Sequence, residues 1–355
     1  MTKSILLRLA VIALAVFLFA FPAGAATKTQ AEKYHVEVRT ATFGGSTYLL
    51  GFGITDILNK KSNMIRGSVL ESSGTVEGFR VVGKDPDKRK RTIFNCSSEQ
   101  YFKAKKGEPP FDKESYLYKD LKILMFQQYL GAMFVTLDPN IKTLADLKGK
   151  RVATWPKGQA KYDHSYSLMA GAGKEVLDSI KWQYTAYAAY DDMILGKTDA
   201  ALTYSNADGD GKFGTMPQLK ELMSKKKVYF VTATPEMRIK SKELFGDAFG
   251  ATLKVPRGAL GPDTPSQDIL CFMPVVAWGI YPDFPDDVAY EMVKILDENH
   301  GMFKDYHSAG RNVVPANYGL YPVDKESFHS GARKYFDEKG IGYGKEYFFK
   351  LFPGK

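Results

Sequence analysis

The chain has 355 residues, 44% of them hydrophobic, and a formal net charge of +9. That length suits two domains of ordinary size better than one, and the apolar fraction excludes a disordered chain. The charge favours acidic partners, whether small carboxylates, anionic membrane surfaces or nucleic acid, and selects none of them.

Lys3 and Arg8 flank the start of the apolar run LLRLAVIALAVFLFAFPAGAA, which ends in the small-residue site Ala23-Gly24-Ala25. A basic start, an apolar core too short to span a bilayer and an A-x-A site together read as a secretory signal peptide. Residues 1–25 are therefore expected to be removed near Ala25, giving a soluble exported protein. No cysteine stands at the junction to carry a lipid anchor. Export bears on Cys96 and Cys271. An oxidising compartment permits a bridge between them, and two buried free thiols are the other reading.

Strands and helices alternate along the mature chain. HVEVRTAT reads as a strand, and the glycines that follow open a helix continuing through GITDILNKK. GSVLES is a second strand, Thr75–Val82 a helix start and RTIFNCS a third strand. This βαβα order predicts a mostly parallel sheet with covering helices. The basic run Lys88-Arg89-Lys90-Arg91 reads as a solvated loop, since nucleic-acid binding would want aromatics among the charges. KILMFQQYLGAMFVTL, from Lys122 to Leu137, is one long β-rich run. Thr143 caps a short helix that Gly149 ends. Arg151–Trp155 is a strand, and a helix is expected after Pro156-Lys157-Gly158. The strand, glycine-bearing turn and helix thus occur twice, which predicts two similar lobes. Further on, Tyr190–Leu195 reads as helix, Asp199–Tyr204 as strand and CFMPVVAWGIY as one apolar strand. Pro285-Asp286-Asp287 opens a helix to about Asn299, with its acids at the positive end. The tail KESFHSGARKYFDEKG is amphipathic and helical.

Catalytic signatures are missing. The sequence has no G-x-S-x-G elbow, H-E-x-x-H or C-x-x-C, and no Gly-Lys-Ser/Thr follows the first glycines. Gly44, Gly45, Gly51 and Gly53 do not have dinucleotide spacing. His35, His164, His300, His307 and His329 share no ligand spacing and read as structural or surface residues. Asn206-x-Asp208-x-Asp210-Gly211 matches the first half of a calcium loop, but its twelfth position is Pro217 rather than a bidentate glutamate. No metal and no cofactor are called for. What remains is a set of glycine-bearing turns before helices. A helix start presents unpaired N–H groups and partial positive charge, and glycine lets a ligand come close. Gly44-Gly45-Ser46-Thr47 adds two hydroxyls, with Tyr48 as an aromatic wall. Ser73-Gly74-Thr75 and Lys157-Gly158-Gln159-Ala160-Lys161 repeat the device, the last with two cations. The pattern points to an anion cup between lobes, and to carboxylate rather than phosphate because nothing resembles a magnesium site.

Phe43-Gly44-Gly45-Ser46-Thr47-Tyr48 through Gly51 is similar to T-G-G-x-x-Y-x-x-x-G of the TAXI solute receptors, one branch of the tripartite ATP-independent periplasmic (TRAP) transporters. SSGTVEGFRVV, CSSEQYFKAKKGEPPF, IKTLADLKGKRVA, DMILGKTDAALTY and PVVAWGIYPDFPDDVAYEMVKIL follow in that family's order, so the resemblance spans about Val36 to Gly340. It implies a two-lobed periplasmic-binding-protein fold (type II), each lobe a mixed, mostly parallel sheet with flanking helices. It implies lobe I over 26–130, lobe II over 131–255, a return to lobe I over 256–320 and a helical tail over 321–355. Hinge segments would lie near Phe126–Leu137 and Met273–Tyr281. The implied role is capture of a small organic anion, an amino acid or dicarboxylate, for delivery to the membrane permease subunits of a TRAP transporter, with no nucleic acid and no catalysis. Ser46, Thr47, Tyr48, Ser73, Thr75, Ser97 and Ser98 would line the first lobe, and Gly158, Gln159, Ala160 and Lys161 with Tyr204 and Ser205 the second. Ser97, Glu99, Gly78 and the Lys157–Lys161 turn depart from the family pattern, which forbids copying a ligand from relatives. Two alternatives stay open: a receptor of the same fold for an ABC importer or a sensor, and an exported enzyme using Glu77, Glu99 or His164.

Overall fold

The structure, a computed structural model, describes residues 32–207, 212–245 and 251–352. The expected signal peptide and Asp208–Gly211 of the calcium-like turn lie outside these. Contacts divide the chain into Met1–Lys33 and Tyr34–Lys355, and the regular structure described belongs to the second unit.

Val36 and Val38 point one face of Tyr34–Arg39 (β1) into the core. Ser46–Lys61 (α1) follows, burying Leu50, Ile54, Ile57 and Leu58 at helical spacing. Ile65–Leu70 (β2) and Thr75–Lys84 (α2) come next. The basic run is not a loop but a short helix, Pro86–Arg91 (α3). Asp85 caps it by accepting from the Asp87 and Lys88 amides, and Pro86 sits in its first turn. Its cations gather at the negative helix end, and Arg91 reaches back to Glu37 at 3.2 Å. Thr92–Ser97 (β3), Ser98–Lys106 (α4) and Lys122–Tyr129 (β4) complete the first pass.

The long β-rich run is two strands. After Leu130 the chain enters a second sheet as Gly131–Thr136 (β5). Thr143 and Asp146 form a reciprocal capping box over the 3₁₀ turn Leu144–Leu147. There follow Arg151–Ala153 (β6), Ala160–Gly171 (α5), Lys174–Ser179 (α6), Lys181–Gln183 (β7), Ala189–Ile194 (α7) and Ala200–Ala207 (β8). Phe213–Thr215 (β9), Pro217–Lys225 (α8), Tyr229–Val231 (β10), Pro235–Phe245 (α9), Ala251–Val255 (β11) and Ile269–Met273 (β12) finish this lobe. The apolar strand expected at CFMPVVAWGIY is broken by Pro274, which has no N–H for a ladder. Beyond it Val275–Ile280 (β13) lies in the first sheet. Asp286–Glu298 (α10), Phe303–Tyr306 (α11), Ser330–Lys339 (α12) and Lys345–Leu351 (α13) pack on the first lobe, α12 realising the amphipathic tail.

The first sheet has the order β2-β1-β3-β13-β4 and the second β11-β12-β5-β8-β6-β7, with β10 on β5 and β9 on β8. The molecule is two-lobed, mixed α/β, with one core cluster in the first lobe and two clusters in the second. β11 and β12 belong to the second sheet, so the chain returns at Met273–Val275, later than residue 256 where the resemblance puts it. Among the described strands, parallel ladders join β1 with β2 and β3, and β6 with β7 and β8. The other ladders are antiparallel, more than the βαβα pattern predicts, because β5 and β13 each enter a sheet against their neighbours. Among the described residues, no helix is long and apolar enough to cross a membrane.

Gly51 explains how closely α1 sits on the first sheet. A β-carbon there would stand 2.4 Å from Thr40 Cγ2, 3.2 Å from Trp278 and 3.3 Å from Val38. Thr40 cannot swing away freely, because its hydroxyl donates to Leu70 O at 2.9 Å. Gly51→Val should therefore lower stability by about 1–3 kcal/mol through overpacking, read as a lower Tm in thermal denaturation. Cys96 and Cys271 are free, fully buried, and lie in different core clusters. Burial pushes the Cys96 thiol up to about 12 and the Cys271 thiol higher still. Both should ignore Ellman's reagent in the native protein and both should react after denaturation without reductant.

Candidate functional site

A cavity of about 240 Å³ lies between the lobes. From the first lobe it takes the starts of α1 (Gly45, Ser46, Thr47) and α2 (Gly74, Thr75), the ends of β3 (Asn95, Ser97) and β4 (Gln128), and Ala41, Thr42, Leu130 and Val276. From the second it takes Trp155, the start of α5 (Gln159, Ala160, Lys161, His164), Ala186 and Tyr187.

Three helices thus begin on one space. Their N-cap residues are Gly45, Gly74 and Gln159, and no side chain caps any of them. Their partial positive ends adjoin the cavity, and at α2 one early amide, that of Val76, is taken by Gly158 O. In the first lobe the hydroxyls at these starts are fixed by strand carboxamides. Gln128 Nε2 donates to Ser46 Oγ at 3.0 Å and Thr47 Oγ1 at 3.3 Å, and Asn95 Nδ2 donates to Thr75 Oγ1 at 2.8 Å. The other edge of each carboxamide, Gln128 Oε1 and Asn95 Oδ1, is buried with no hydrogen-bond partner, a costly arrangement.

The second lobe supplies the charge. Lys161 Nζ lies 4.5 Å from the Trp155 ring and 5.1 Å from the Tyr187 ring, and donates to Tyr187 OH at 3.3 Å. Among the described lining residues it is the one lysine or arginine. Lys157 instead lies over Tyr162 at 5.9 Å, away from the lining. The two glycine-bearing turns of opposite lobes touch. Val76 N–H donates to Gly158 O at 3.4 Å, and a β-carbon on Gly74 would come within 3.1 Å of Gly158 O and of Gln159 Cγ.

Of the residues singled out in the sequence, Gly45, Ser46, Thr47, Gly74, Thr75, Ser97, Gln159, Ala160 and Lys161 meet around this cavity. Gly44, Tyr48, Ser73, Ser98, Lys157, Gly158, Tyr204 and Ser205 do not line it. Tyr48 packs edge-on to exposed Phe43, and the Ser73 amide donates to Glu77. Ser98 Oγ accepts from Val275 N–H, and Ser205 Oγ donates to Gly214 O. Tyr204 stands one layer back, 2.7 Å from His164 Nδ1, and burial, with Glu99 nearby, holds its phenol well above the usual range.

Sequence reading passed over Asn95, Gln128, Trp155 and Tyr187. The first two sit toward the carboxyl ends of first-lobe strands and Trp155 just beyond β6, and that place in an α/β sheet was the available signal. His164 is not a bystander either. It is buried at the cavity, its Nε2 donating to Glu99 Oε2 at 3.0 Å with Ser97 Oγ 3.3 Å away. Serine and acid share one ring nitrogen while Tyr204 holds the other, whereas a nucleophilic relay needs them on opposite nitrogens. Glu77 pairs with Arg39 at 2.8 Å and does not line the cavity. Among the described residues no group of three His, Cys, Asp or Glu could hold a metal.

The model of the NMT1-like family matches residues 38–340, most of the chain. The chain belongs to the NMT1-like family. Comparison with curated protein sequences gives no match. Solved structures similar to this NMT1-like chain include MatC from Rhodopseudomonas palustris with bound malate, 12% identical over 86% of this chain and 96% of that one, at a TM-score of 0.47. The alkanesulfonate-binding protein SsuA from Xanthomonas axonopodis pv. citri, bound to MOPS, is 13% identical over 88% and 96%, at 0.43. An ATP-bound protein from Xanthomonas citri is 8% identical over 86% and 99%, at 0.49. What each of them holds is a property of that protein.

Proposed function

We propose that this NMT1-like chain is a periplasmic solute receptor that captures a small organic anion between its lobes and performs no chemistry on it. The observation that carries the reading is the meeting of three uncapped helix starts, from both lobes, with Lys161 on one cavity. Each device favours negative charge, and together they leave a carboxylate the natural occupant. The cavity volume is below the range usual for drug-sized ligands, so the solute is a small metabolite, of amino-acid or dicarboxylate size.

The partner we propose is the membrane permease of a TRAP transporter of the TAXI type. The ordered motif resemblance over about Val36–Gly340 supports this, and the family match covers nearly the same stretch. The basic, apolar leader with its Ala23-Gly24-Ala25 site supports export to the periplasm.

A solute that binds only the folded chain raises its melting point, by about 2.7 kcal/mol of added stability at a hundred times its Kd. Screening amino acids, mono- and dicarboxylates and neutral sugars should give shifts with acids only. Lys161→Met should weaken the best acid by about ten- to a hundredfold, the value of a charge-assisted hydrogen bond of about 1.5–3 kcal/mol. Shifts with neutral sugars alone, or an acid whose affinity ignores Lys161→Met, would overturn the anion receptor.

A further inference from the structure

Helix α5 serves two surfaces. Its first turn, Ala160 and Lys161, lines the cavity. The next residues cross to the other lobe. Asp163 accepts from Lys103 Nζ at 2.5 Å and from Gln100 Nε2 at 3.1 Å, and both partners are on α4 of the first lobe. His164 donates to Glu99 at the start of the same helix. Asp163, His164, Glu99 and Gln100 are 6%, 1%, 2% and 0% exposed, so a dense polar cluster is shut between the lobes.

Burying a charge this way is hard to explain as plain stabilisation. Desolvation offsets most of the attraction in a buried ion pair, and an apolar pair of similar volume does as well or better. The asymmetry matters instead. With both partners present the lobes can close on them, and with one missing a bare charge is trapped, which is relieved by taking up a proton or by opening to water.

We propose that the Asp163–Lys103–Gln100 and His164–Glu99 contacts are a brace that sets the angle between the lobes, and that α5 couples this brace to the occupant of the cavity. Asp163, Lys103 and Gln100 are positioning residues, acting on the solute through the helix whose first turn faces it. The inference deepens the receptor reading and rests on it for its purpose, though not for its geometry.

Interlobe distances measured by double electron–electron resonance test it without any added solute. Spin labels go on Lys181→Cys and Lys339→Cys, exposed positions on the second and first lobes, and buried Cys96 and Cys271 stay unlabelled. The otherwise unaltered protein should give a main population at the separation in this structure. Lys103→Met, leaving Asp163 short of its cation, should shift the ratio of closed to open molecules at least tenfold toward longer distances. Lys103→Met with Asp163→Leu should return the distribution to the closed one, and circular dichroism checks that both variants stay folded. An unchanged distribution in Lys103→Met, or a double variant that stays open, would overturn the brace. If Lys103→Met does not fold, the double variant decides alone, since a closed distribution supports the brace and an open one sinks it. A failed brace leaves the anion screen standing, and a failed screen leaves these distances standing.

Discussion

The chain crosses between the lobes twice, and the two crossings are tied to each other by a hydrogen bond. Leu130 leads from β4 into β5, Pro274 from β12 into β13, and Leu130 N–H donates to Pro274 O at 3.1 Å. Proline at the second crossing removes a donor, so neither sheet can extend its ladder through that point. Two β-runs are thereby cut and shared between sheets. Everything else about the site follows from where the cut falls. The residues beside it, Gln128, Leu130 and Val276, are the floor of the cavity. Two extended crossings also fix which ends of the sheets face each other. Here they are the ends at which β1, β2 and β6 hand over to helices.

That arrangement turns an ordinary feature of α/β units into an electrostatic one. A single helix start is commonly satisfied by its own N-cap side chain. Here Gly45, Gly74 and Gln159 provide none. The hydroxyls that could have folded back onto the helix, at Ser46, Thr47 and Thr75, are held by Gln128 and Asn95 from the strands. Apart from the Val76 amide, which Gly158 O takes, these starts are left without a side-chain cap beside the cavity. Carboxamides suit the task because they fix the hydroxyls while adding no charge that would oppose an anion. Glu99, at the start of α4, does not line the cavity and is bound to Ser97, Ser98 and His164.

Much of this was legible in the chain. Gly-Gly-Ser-Thr before an apolar helical pattern announces a helix start open to an anion, and Thr143 with Asp146 spells a capping box. The two crossings were harder. Nothing in KILMFQQYLGAMFVTL punctuates Leu130, and a strand buried on both faces reads the same on either side of it. Pro274 was a signal, overridden by the apolar residues around it. The run Lys88–Arg91 hid a helix because its charges have no periodicity, although Asp85-Pro86 ahead of it is a good N-cap and first-turn pair. Glu99 and His164, and likewise Lys103 and Asp163, meet only through tertiary packing. Their separation in sequence leaves no local trace, since each looks like a surface charge until the lobes come together.

Lys161 shows why position matters more than charge count. The net charge of +9 is spread over a surface where lysines pair with nearby acids, as Lys88 does with Asp85 and Lys174 with Asp178. Such pairs are screened and say little about ligand choice. Lys161 is instead flanked by Trp155 and Tyr187, whose ring faces attract the ammonium without neutralising it. With one hydrogen on Tyr187 OH, the ammonium has two left for other acceptors, beside an aromatic wall. Neighbouring Lys157, over Tyr162 and facing outward, has the same charge and none of this geometry. Lys161 and the α1 and α2 starts thus bring residues of both lobes to one cavity, beside the crossings at Leu130 and Pro274.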